Sequence, residues 1–93
     1  MDCKSIIFSG HAIQKMFERN ILVENIFELI QLAEIVKEYD DDKPFPSKLL
    51  LSFVETQPLH IVVAYNIVAQ QCVVITVYRP DISIWNADFK TRR

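Results

Sequence analysis

The chain has 93 residues, 51% of them hydrophobic and only one a glycine, with 12 acidic against 10 basic side chains and a formal net charge of -2. A chain of this length makes one domain, residues 1–93, near the lower limit for a self-sufficient core, and the apolar content excludes a disordered polymer. The slight acidic excess argues against a dedicated duplex-DNA binder, which carries a strong basic surplus, but leaves room for a local cationic pocket.

MDCKSIIFSG is too short and too polar for a secretory leader, and Asn66 and Gln70–Gln71 interrupt the longest apolar run before it can span a membrane. Two cysteines, Cys3 and Cys72, do not make a disulfide framework and are expected as reduced thiols. These features predict a soluble, cytoplasmic protein without a membrane partner.

In chain order, SIIF at 5–8 suits a short strand, and Ser9 stands where an N-cap belongs. Ala12, Ile13, Met16 and Phe17 follow with the spacing of one buried helical face, and Asn20 is a residue type that ends helices in the left-handed conformation. A second helix fits Val23 to about Leu32, with Val23, Ile26, Phe27 and Ile30 spaced for packing. EIVKEY from Glu34 suits a strand, and DDDKPFPS is the strongest breaker in the chain. KLLLSFVE, LHIVVAYN and CVVITVY are strand-like, and the connectors TQP and IVAQQ are short enough for hairpins. The expected fold is therefore α+β: two N-terminal helices packed on an antiparallel sheet of about four strands.

That sheet is apolar on both faces, and two helices cover only one. The Trp85–Phe89 segment or another protein chain must cover part of the second, and His60 points the same way as Val62 and Ala64.

Most site signatures are absent. A lone glycine excludes phosphate-cradling glycine loops, and no Cys/His cluster has zinc-ligand spacing. Nor is there a nucleophilic-serine motif, and Asp40–Asp42 lacks the calcium-loop pattern and reads as a solvated acidic loop. No cofactor is implied.

One row stands out. His11, Lys15 and Arg19 recur at steps of four along the first helix, and at about 100° per residue the row drifts by about 40° at each step. His11 starts outside the apolar face, whereas Arg19 ends at its edge, half-buried with a guanidinium that needs a partner. The row admits two readings: a charged helix flank, or an anion site if Arg79, Lys90, Arg92 and Arg93 meet it. His60 likewise reads as a satisfied strand histidine or as a second titrating group. Tyr78 reads as a packing residue with a wet hydroxyl.

HAIQKMFERNI, the helix after it, PLHIVVAYN, VVITVYRPD and the closing W-x-x-x-F-x-x-R resemble the domain of unknown function family 4258. Its opening motif is similar to H-A-x-x-R-M-x-x-R-G-I, and its end to I-T-V-Y-x-P-D with a terminal tryptophan and arginine. Here Lys15 stands for the usual arginine, without its bidentate fork, and Asn20 for the glycine. The layout also resembles RelE-like and BrnT-like toxins of bacterial toxin–antitoxin systems, small ribonucleases that need no metal.

That resemblance implies RNA cleavage through the RNA's own 2′-hydroxyl, with a general base, a general acid and cations that stabilise the phosphorane. It implies His11, His60 and Arg19 as catalytic residues and Lys15, Arg79 and Arg92 as phosphate-binding ones. The alternative is a non-catalytic interaction module, a homodimer or homo-oligomer or the partner of a small antitoxin-like protein.

Overall fold

Ser9 sets the start of the first helix and its place on the sheet. In the computed structural model, which describes residues 3–93, its hydroxyl accepts from the Ala12 amide (3.0 Å) and donates to the Ile75 carbonyl (2.7 Å). The elements run β1 (Ser5–Phe8), α1 (Gly10–Glu18), α2 (Val23–Gln31), β2 (Glu34–Tyr39), β3 (Ser47–Val54), β4 (Gln57–Asn66) and β5 (Gln71–Tyr78). Asn20, at φ 57°, turns the chain out of α1, and Leu22 precedes α2 without a side-chain cap.

The strands form one sheet in the order β1-β5-β4-β3-β2. Neighbours from β2 to β5 are antiparallel, as the hairpin connectors require, but β1 runs parallel to β5, with Ser5 opposite Gln71 and Phe8 opposite Val74. The expected architecture is corrected accordingly. The strand expected at 5–8 forms, but it joins the sheet ahead of both helices, so the sheet is a mixed one of five strands rather than an antiparallel one of about four. A parallel partner must come from a distant crossover and leaves no hairpin signal, so no local pattern announces β1's place.

One sheet face carries Leu50, Leu59, Ile61, Val63, Cys72, Val74 and Val77 against Ala12 and Met16 of α1 and Ile26 and Ile30 of α2. Each helix contributes a single i, i+4 row, α1 over β5 and α2 over β3. Ile13, Phe17, Val23 and Phe27, expected inside, therefore lie at the surface, with Phe17 83% exposed. The expectation of free thiols is also corrected, because Cys3 and Cys72 form a disulfide. The β1–β5 pairing brings their Cα atoms to 5.5 Å, within bridging range.

The Trp85–Phe89 segment, one of the two covers the sequence offers, lies over part of the second face, while Phe53 stays half exposed there. Trp85 is buried and forms an isolated bridge with Arg92, and the Asn86 amide donates to the Thr91 carbonyl (2.9 Å). Inside this turn the Asp88 carboxylate accepts from the Lys90 (2.9 Å) and Thr91 (3.1 Å) amides, which hold it below the usual carboxylate range. No helix among the described residues is long and apolar enough to cross a membrane.

Candidate functional site

The sheet separates the residues that the sequence singles out. His11 lies exposed in the first turn of α1, on the helix-covered side. Lys15 makes a loose pair with Glu18 (3.8 Å). Arg19 is half-buried as its angle predicts, and its Nε is enclosed without a hydrogen-bond partner among the described residues. Arg79 sits exposed at the end of β5 and donates to the Gln57 side chain (2.9 Å). His60 and Arg92 lie on the opposite face, so the sheet keeps them apart from His11, Lys15 and Arg19.

On that second face His60 is fully enclosed, at 0% exposure. Its Nε2 lies 2.7 Å from the Phe89 carbonyl oxygen, which can only accept, so Nε2 carries the proton. Nδ1 is then the acceptor, and the Tyr78 hydroxyl donates to it (3.1 Å). The ring also meets Trp85 and Tyr78 edge-on, at centroid distances of 4.7 and 5.2 Å. Burial lowers the His60 pKa, and the Phe89 carbonyl opposes this in part. His60 is therefore neutral at neutral pH.

Tyr78 is only partly buried. Desolvation raises its pKa first and the nearby Tyr39 adds to this, while the Arg92 charge pulls the other way. Trp85, edge-on to His60, also lines a cleft of about 270 Å3 together with Lys37, Tyr39, Leu49, Lys90 and Arg92. Arg92 stacks over Trp85 (5.3 Å) and Lys37 over Tyr39 (5.3 Å). Lys90 reaches across to Glu34 (3.0 Å).

Three cations and two aromatic rings thus converge on an acidic chain. Arginine and lysine offer phosphate contacts, and the rings offer faces for bases. The sequence does not single out Lys37 and Tyr39, and it offers Lys90 only to a site on the first helix. The available signal is alternation: Lys37 and Tyr39 in EIVKEY sit two residues apart on one side of a strand. No group of three His, Cys, Asp or Glu side chains placed to hold a metal ion occurs among the described residues.

Fold and cleft together define a small α+β protein whose mixed sheet carries helices on one face and a cationic, aromatic cleft on the other. The chain belongs to the family described as Domain of unknown function (DUF4258), which matches residues 8–79. No curated protein and no solved structure matches it. Trp85, Lys90 and Arg92 lie beyond the matched span, whereas His60 and Tyr78 lie within it.

Proposed function

We propose that the protein cleaves RNA through the RNA's own 2′-hydroxyl at the cleft on the second sheet face. The observation that carries this reading is the Tyr78 hydroxyl, hydrogen-bonded to an enclosed neutral histidine beside a cleft lined by Lys37, Lys90 and Arg92. Tyr78 takes the 2′-hydroxyl proton while passing its own to His60 Nδ1, and the Phe89 carbonyl stabilises the resulting imidazolium. The 2′-oxygen attacks phosphorus, Arg92 and the lysines balance the phosphorane charge, and the 5′-oxygen leaves with a proton from a lysine ammonium. A 2′,3′-cyclic phosphate and a 5′-hydroxyl result. Because its pKa is raised, Tyr78 keeps its proton at rest and works only in concert with His60.

The test is cleavage of a mixed-sequence RNA with EDTA present. Tyr78→Phe is expected to lose about 10²–10⁴-fold in rate, and Arg92→Ala about 10²-fold. His11→Ala and Arg19→Ala, on the other face, are expected to cleave as wild type. Unchanged cleavage by Tyr78→Phe, or none by wild type across varied RNAs, overturns the reading.

A protein-interaction module, working as a homodimer or with a small antitoxin-like protein, is the second reading. The surface position of Ile13, Phe17, Val23 and Phe27 favours it, since large apolar side chains left exposed on both helices are available to a contact surface. Sedimentation of wild type against Phe17→Ser separates the two readings: a loss of self-association in the variant supports the module.

A further inference from the structure

A second groove, apart from the cationic cleft, lies on the helix side of the sheet. It measures about 570 Å3 and lies between α2 and the far end of β3, with Ile21, Leu29 and Leu32 among its apolar lining and Glu28, Glu34 and Glu55 at its rim. No lysine or arginine lines it among the described residues.

Its β3 wall is an open strand edge. The β2–β3 pairing ends at Glu34 and Leu51, while β3 continues through Ser52, Phe53 and Val54, paired with β4 alone. On the side toward the groove these three residues have no neighbouring strand. The Ser52 hydroxyl is already used, donating to the Leu29 carbonyl (3.1 Å) and fixing α2 against β3. The main-chain groups of that edge remain available for pairing.

We propose that this groove docks an extended, basic segment of a partner protein, which adds a short strand to β3 at Ser52–Val54. Main-chain hydrogen bonds to the open edge supply register, as in other strand additions. Alternate side chains of the segment face the Leu29 and Leu32 floor, and its lysines or arginines meet Glu28 and Glu55, since Glu34 already pairs with Lys90. The salt bridge from Lys90 to Glu34 (3.0 Å) is an intramolecular example of a lysine held at this rim. A small polyamine meets the charges but leaves the strand edge unpaired, so the occupant is a polypeptide.

The probe is a short capped peptide alternating lysine and leucine, titrated into the full chain while backbone amides are followed by NMR. The largest shifts are expected at Phe53 and Val54. Binding is expected to weaken roughly tenfold, or 1.4 kcal/mol, in Glu55→Lys and again in Glu28→Lys, and to fade with added salt. Both glutamates are exposed, so circular dichroism is expected to show each variant folded. The same peptide N-methylated along the edge-facing side is expected to lose binding.

Equal binding by the N-methylated peptide, equal competition by spermidine, or shifts centred on Lys37 and Trp85 overturns the proposal. Self-association abolished by Glu55→Lys places a second copy in the groove and also overturns it. These readouts use no RNA, so they stand or fall independently of cleavage.

Discussion

His60→Phe keeps a ring of similar size among Trp85 and Tyr78 and deletes both polar partners. The Phe89 carbonyl then loses a donor at 2.7 Å beneath the covering segment, and Tyr78 loses an acceptor at 3.1 Å. An unsatisfied buried acceptor costs about 1–3 kcal/mol, and the partly exposed Tyr78 can turn to water for less. A total of about 2–3 kcal/mol corresponds to a fall of roughly 10–20 °C in melting temperature for a domain of this size.

The pH dependence gives a sharper measurement. Above the unfolded value of 6.5, His60 is neutral in both states and contributes no slope. Below it the unfolded chain binds a proton that the native state resists, so wild-type stability falls with pH, by at most about 1.4 kcal/mol per unit, until the folded pKa is reached. Phenylalanine has no such component, and carboxylate protonation is common to both proteins. Urea unfolding followed by circular dichroism is thus expected to give a wild-type advantage that shrinks from about pH 7 to pH 5. A difference that stays constant over this range refutes the enclosed, neutral histidine. So does a variant within about 0.5 kcal/mol of wild type at neutral pH.

Ser9→Ala removes the cap of α1 and its tie to Ile75, and is expected to cost about 1–2 kcal/mol in chemical denaturation. Reducing the Cys3–Cys72 bridge, with its separation of 69 residues, is expected to lower stability by about 4 kcal/mol, read as a shift in the urea midpoint with dithiothreitol. Phe17→Ser is expected to change folding stability by less than about 0.5 kcal/mol, because the ring is exposed. A large loss in that variant places Phe17 in the core, as its spacing alone suggests.

What the sequence makes legible is local. Ser9 caps, Asn20 turns out of the helix, and the antiparallel strands follow one another through short connectors. What it hides is set by distance along the chain. Ser5 meets Gln71, Cys3 meets Cys72, and Lys37 meets Lys90 and Arg92, and no periodicity reports such meetings. Helical spacing also overstates burial here. It marks two neighbouring rows as apolar, but a short helix laid on a sheet seats one of them, so Met16 is enclosed and Phe17 is not. The row of His11, Lys15 and Arg19 is real as helix geometry, but the sheet stands between it and Lys37, Lys90 and Arg92.

The parallel seat of β1 beside β5 has a consequence for the order of folding. The antiparallel hairpins of β3, β4 and β5 close over short connectors, whereas β1 has no strand partner until β5 exists. Until then α1 has no β5 to rest on and Ser9 lacks its second partner at Ile75. Loop-closure entropy for so distant a pairing is met late, after the hairpins. The N-terminal segment therefore waits as an unpaired apolar strand while the meander assembles, and it joins the fold by docking onto a sheet already made.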